Sequence, residues 1–190
     1  MDRNLITPET AGRLVRVVIG TGRVDLRDRA YVTLLYRCGL RNNECRMLDL
    51  ADIHLADPKP WLRVRFPKGI LAGARERNIG IDGGARAVLL EYLEQRGGEQ
   101  GPLFSTKGNK RVSTGHIRRK IKIMQKLAGI PGRVHPHALR HAFARSMFDE
   151  GFPMLLIQKA LGHRNFRTTE IYLDSIGSSE VIDAATTREW

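Results

Sequence analysis

Cysteine is scarce in this chain. Two residues in 190, Cys38 and Cys45, are too few for a disulfide framework. Both fall in a stretch patterned as helix, so reduced thiols in a cytoplasmic protein are expected. Long hydrophobic runs are missing too. No apolar stretch approaches the roughly 20 residues that cross a bilayer, and Met1-Asp2-Arg3-Asn4 leads into no signal-peptide core. No membrane partner is expected. There is no internal repeat and no low-complexity segment. The most informative deficit is of acid: between Glu99 and Asp149 there is no Asp or Glu at all. Residues 59–133 hold 17 Lys and Arg against 5 Asp and Glu, a surplus equal to the whole formal charge of +12. The two flanks therefore cancel. A long basic stretch without acid suits a polyanion, because Lys and Arg neutralise phosphates and release counterions. A solvated basic face is the plainer alternative. A membrane surface fits less well, since no basic amphipathic helix carries a large aromatic face.

What is present divides into helices around one short stretch of strand. Thr7-Pro8-Glu9 has the residue order of a helix start, and Leu14, Val15, Val18 and Ile19 fall on one face before Gly20-Thr21-Gly22. Asp25 opens a second helix through Ala30, Leu34, Leu35 and Cys38, closed by Gly39. A short third helix spans about 42–48. The period then changes. Trp61-Leu62-Arg63-Val64-Arg65-Phe66 alternates apolar and basic residues, which predicts a strand with one wet face, and Asn78-Ile79-Gly80-Ile81 its partner. Helix returns at 85–94. From Ser113 or Thr114 the apolar residues Ile117, Ile121, Met124 and Ala128 fall at helical spacing. Arg118, Arg119, Lys122 and Lys126 lie elsewhere around that helix, giving an apolar back and a basic front suited to DNA. Residues 137–150 form another helix with Leu139, Phe143 and Met147 inward and Gly151 at its end. Pro153 begins a further one, stopped by Gly162. A last helical turn carries Thr168, Thr169 and Tyr172.

Four clusters carry chemistry. In Gly39-Leu40-Arg41-Asn42-Asn43-Glu44 a glycine lets the chain turn and an arginine is presented at a helix start, with Glu44 three residues on to hold the guanidinium. In Phe66-Pro67-Lys68-Gly69 a lysine sits where strand gives way to loop. In His135-Pro136-His137-Ala138-Leu139-Arg140-His141, His137 and Arg140 share a helical face with His141 beside them. One is a proton carrier near neutral pH and the other a bidentate phosphate clamp. Metal ligation by the three histidines is the alternative there, but the surrounding cations suit an anion better. The fourth cluster is Leu161-Gly162-His163-Arg164-Asn165 followed by Thr168-Thr169-Glu170-Ile171-Tyr172. Each cluster alone has an ordinary structural reading.

Together and in this order they resemble the tyrosine recombinases, the family of phage integrases and Xer-like resolution enzymes. Gly-Leu-Arg with a nearby Glu, a hairpin Lys, His-x-x-Arg-His, Leu-Gly-His and a final Tyr are all present, from Leu5 to about Asp174. The resemblance implies an α+β catalytic domain of the DNA breaking-rejoining type, mostly helical around a small antiparallel sheet, with its site on a basic concave face. It implies that Arg41 and Arg140 clamp the scissile phosphate and that Tyr172 attacks it, leaving a 3′-phosphotyrosyl link and a free 5′-hydroxyl. Lys68 would protonate the leaving oxygen and His137 would act as base or proton relay. His163 would steady the phosphate, and Glu44 and His141 would support the others. No cofactor or metal is implied. The partner would be double-stranded DNA, bound by a homotetramer, with a monomer allowed in its absence.

The loop after Lys68, Gly-Ile-Leu-Ala-Gly-Ala-Arg-Glu-Arg, is longer than the usual Gly-Asn-Lys-Glu-Arg type. Cys38 stands where Thr is common and Ala138 where a polar residue is usual. The expected division is a catalytic domain over 1–174 and a tail over 175–190 that docks in trans. The pattern begins almost at Met1, so the N-terminal core-binding domain that such enzymes carry is not expected within these residues. Two rival readings keep the DNA: a type IB topoisomerase-like nicking and resealing enzyme, and a DNA-binding regulator on a recombinase scaffold. A metal-dependent nuclease would need carboxylate ligands that the acid-free stretch does not offer.

Overall fold

The computed structural model describes residues 6–17, 24–65, 76–106 and 108–162. Within them the chain runs α1 (Pro8–Val15), α2 (Leu26–Arg37), α3 (Asn42–Met47), β1 (Ile53–His54), β2 (Trp61–Val64), β3 (Arg77–Gly80), α4 (Gly83–Arg96), α5 (Thr114–Leu127), α6 (Pro136–Asp149) and α7 (Met154–Leu161). The architecture is α+β. Helices dominate, and the described strands form an antiparallel sheet of order β1-β2-β3, with Leu62 opposite Ile79, Arg63 opposite Asn78 and α7 against β3. The paired strands predicted around 61–66 and 78–81 are present. β1, only two residues long, has no periodicity by which the sequence could announce it.

The helix starts follow capping chemistry. The side chains of Thr7, Asp25, Asp82, Ser113 and His135 each accept a backbone N–H from the first turn that follows. α1 stops sooner than its apolar spacing predicts. Its last residue is Val15, and Arg29 Nε donates to the Val15 carbonyl at 3.1 Å, taking an acceptor that a longer helix would use. Val18, Ile19 and the glycines after them lie outside the described residues.

α2 is the centre of the molecule. Seven successive residues from Ala30 to Tyr36 are buried, because the helix packs against α1, α4 and α6 on different sides. A helix enclosed in this way needs no polar stripe. The core continues through Leu62 and Val64 of β2, Leu89 of α4, Ile117, Ile121 and Met124 of α5, and Leu139 of α6. Phe143 and Met147, read as inward, are only partly buried. They pack on a smaller cluster of Ala144, Ile157 and Leu161 between α6 and α7. Leu155 and Leu156 of α7 are exposed.

Candidate active site

Gly39 begins the site. Its φ of +59° is open to glycine, and a Cβ there would sit 2.3 Å from Phe143 Cδ1. The chain therefore turns tightly beneath α6, and Leu40 is buried as an anchor. Arg41 follows at the N-terminus of α3. Glu44, in the first turn, accepts the Arg41 backbone N–H at 2.8 Å and Arg41 Nη1 at 2.7 Å. Tyr31 fastens the same turn by donating its hydroxyl to the Asn42 carbonyl at 2.6 Å.

Glu44 is 8% exposed and gathers further cations. Arg77, from β3, pairs with it through both oxygens, Nη1 to Oε1 at 3.0 Å and Nη2 to Oε2 at 2.8 Å. Arg140 Nη1 lies 3.6 Å from Oε2. Burial alone would raise the Glu44 carboxyl. The hydrogen bonds and charge of Arg77, with those of Arg41, bring it down to about 2 instead.

The same three arginines close the end of α7. Arg77 Nε donates to the Ala160 carbonyl at 3.1 Å, Arg140 Nη2 to Leu161 at 2.5 Å, and Arg41 Nη2 to Gly162 at 3.4 Å. A helix leaves its last carbonyls without intrahelical partners and gathers negative potential there, so guanidinium donors fit. Gly162 caps α7 in the left-handed conformation, φ 64° and ψ 42°. A Cβ at Gly162 would lie 2.9 Å from Arg77 Nη1, so glycine is required on two counts.

α6 supplies Arg140 and the histidines. Arg140 is 3% exposed and its Nη1 also donates to the Gly39 carbonyl at 2.6 Å. The guanidinium thus ties the Gly39 turn to the end of α7. His135 caps α6 through Nδ1. His137 is exposed at the cleft and His141 stands behind it, ring centroids 4.2 Å apart and edge-on. Partial desolvation at the cleft wall, then the charges of Arg140, His135 and Arg41, lower the His137 imidazole below its ordinary value. Burial and the neighbouring His137 and Arg140 bring His141 to about 4. Both shifts favour the neutral rings at pH 7. Among the described residues no three His, Cys, Asp or Glu side chains converge as metal ligands.

α5 faces this group across a cleft of about 1430 Å³. Arg41, His137 and Arg140 border one side. Arg118, Arg119, Lys122 and Lys126, all exposed, border the other. Among the described residues lining it there is no Asp or Glu, but Gln125 and Arg133 join it. The basic helix is not uniformly solvated: Lys120 turns away to pair with buried Asp28 at 2.8 Å.

The structure brings Arg41, Glu44, His137, Arg140 and His141 together and sets the four α5 cations opposite them. Lys68, His163, Tyr172 and the 175–190 tail lie outside the described residues. Sequence reasoning missed Arg77, which contacts Glu44 and α7 as closely as Arg41 does. A buried arginine on a strand was the available signal, but burial is not legible in a strand exposed on one face.

The model of the phage integrase family matches residues 5–177. Tyrosine recombinase XerC from Escherichia coli, for example strain K12, is 33% identical over 165 residues. That match covers 84% of this chain and 53% of XerC, so the chain spans about half the length of the curated relatives it matches. Among solved structures, XerA recombinase superposes with a TM-score of 0.77 at 28% identity, over 98% of this chain and 66% of that one. XerH recombinase bound to its difH substrate superposes with a TM-score of 0.80 at 20% identity, over 98% and 55%. A fold shared along nearly the whole chain, with a family match that extends from Leu5 to Gly177, settles the classification: this chain belongs to the phage integrase family.

Proposed function

We propose that this chain is the catalytic part of a site-specific tyrosine recombinase that cuts and rejoins double-stranded DNA. The observation that carries the reading is the cleft in which Arg41, His137 and Arg140 face the cationic side of α5 with no carboxylate among the described lining residues. Such a surface holds a phosphodiester by charge and directed donors. The acid that is present, Glu44, is turned into the protein and neutralised by arginine.

In this reading Arg41 and Arg140 stabilise the charge that builds on the non-bridging phosphate oxygens. The oxygen of Tyr172 attacks phosphorus and the bond to the 5′-oxygen breaks, giving a 3′-phosphotyrosine and, with a proton from Lys68, a 5′-hydroxyl. His137, neutral at working pH, accepts the tyrosine proton directly or through water, and His163 donates to the phosphate. Rejoining reverses the step with an incoming 5′-hydroxyl, so the phosphoester energy is conserved and no nucleotide is consumed. Exchange between two duplexes needs four such cuts. The proposal therefore extends to a homotetramer on DNA, with the 175–190 tail docking on a neighbour. The XerH complex with difH, a relative of the same fold bound to its DNA, supports DNA as partner.

The test is a suicide duplex nicked beside the cleavage point, incubated with the protein in EDTA. A covalent protein–DNA adduct that forms there and is lost in Tyr172→Phe is the expected result. An adduct that persists in that variant, or cleavage that requires added metal, overturns the proposal.

A further inference from the structure

We propose that Arg77 is the positioning residue of this site: one guanidinium fixes Glu44, and through it Arg41, while tying β3 to the last turn of α7. The inference rests on the functional reading above for its catalytic consequence, and on geometry for the rest.

Arg77 uses its whole fork. Both Nη atoms meet the Glu44 carboxylate and Nε meets the Ala160 carbonyl. Its side chain is 11% exposed and packs against Gly162, which has no Cβ to displace it. It does not line the cleft bordered by Arg41, His137 and Arg140, and its described bonds go to Glu44 and Ala160. Its targets are what matter. Glu44 holds Arg41 at both the backbone and the guanidinium. The Ala160 carbonyl belongs to the turn that immediately precedes His163. Arg77 also stands at the head of β3, directly after the segment that carries Lys68. One side chain thus joins Glu44, and through it Arg41, to the last turn of α7. An ammonium has a single point of attachment and cannot reproduce a bidentate pair and a third bond together. Arg77→Lys keeps the charge and loses the geometry.

The experiment uses the full chain with Arg77→Lys and Arg77→Gln, and has two readouts. In single-turnover reactions with saturating suicide duplex, the adduct rate is expected to fall about 100-fold in both variants. DNA affinity should stay within about threefold, because the cleft cations are untouched. Separately, without DNA, the Glu44 carboxyl is titrated by carbon-13 NMR. Its midpoint should rise from about 2 in Arg77→Gln, with Arg41 still beside it, and stay low in Arg77→Lys. A split in which lysine restores the midpoint but not the rate supports positioning. Adduct rates within threefold of the parent in Arg77→Lys, or a Glu44 midpoint that does not move in Arg77→Gln, overturn the proposal. If Arg77→Gln fails to fold, the Arg77→Lys rate decides. If the parent chain forms no adduct, the functional reading fails. The Glu44 titration then still decides whether Arg77 organises the cluster.

Discussion

Two buried carboxylates in this protein have nearly the same electrostatics and different consequences. Asp28, on α2, is fully buried and is met by Lys120 Nζ at 2.8 Å and by His116 Nε2 and Arg27 Nη2, each at 3.3 Å. Glu44 is met by Arg41, Arg77 and Arg140. Burial pushes both carboxyls up, and the surrounding cations hold both below their ordinary values. Around Asp28 the cations come from α2 and α5 and pin one helix to the other. Around Glu44 they come from α3, β3 and α6, and each also binds a carbonyl at the end of α7. The first arrangement is a brace. The second is a hub whose members continue into the cleft. A buried ion pair is weak evidence of function by itself; what separates these two is where the cations go next.

Substitution tests the contrast most strongly. Asp28→Asn removes the buried charge that Lys120, Arg27 and His116 face and is expected to cost about 3–5 kcal/mol in urea unfolding. Its adduct rate per folded molecule should be unchanged. Glu44→Gln should lose stability of similar size and also about 100-fold in adduct rate at saturating DNA. Equal adduct rates in the two variants would erase the distinction between brace and hub.

Gly39→Ala sharpens the hub side. The new Cβ meets Phe143 at a backbone conformation that disfavours it, so a loss of about 2–4 kcal/mol is expected from thermal unfolding. A wild-type melting temperature would contradict the close approach.

Acid acts on both carboxylates alike. Their folded values lie below the unfolded ones, so their stabilisation is fully present above about pH 4.5. For Glu44 it is lost as pH falls from there toward 2, and for Asp28 as pH falls below its ordinary carboxylate range. Denaturant midpoints should fall steeply across that window, and the dependence should flatten in Asp28→Asn and in Glu44→Gln. His137 shifts in the same direction, and acid protonates it too. Its lowered value keeps it neutral at pH 7, so the acid limb of the adduct rate should have its midpoint below 6.5 and vanish in His137→Gln.

The smallest effect belongs to the open face of α5. Lys122→Ala and Lys126→Ala should each weaken DNA binding modestly and reduce the salt slope of affinity by about one. Lys120→Ala should leave that slope unchanged, since Lys120 pairs with Asp28. A slope change in Lys120→Ala would place that lysine on DNA.

Much of this was legible in the chain because it is local. Capping residues mark helix starts, the alternation at 61–66 marks a strand, and the 117–121–124 spacing marks the buried side of α5. Arg41 with Glu44, and His137 with Arg140, are near in sequence and share a turn or a face, so their grouping could be read. The length of α1 was misjudged because a side chain from α2 takes the carbonyl at its end. Lys120 could not be told from Lys122, since the choice between a buried partner and the cleft depends on where α2 lies. Arg77 was invisible for the same reason: its partners are 33 and 83 residues away.

The sequence by itself determined the helical framework, the charge excess and the residue types available to the site, since periodicity, capping and charge act over a few neighbouring residues. Tertiary structure alone decided which cations face the cleft and which face a buried carboxylate. It also decided that three arginines from three elements converge on Glu44 and the end of α7. A buried charge is tolerated only beside its counter-charge, and that pairing is made across the fold rather than along the chain.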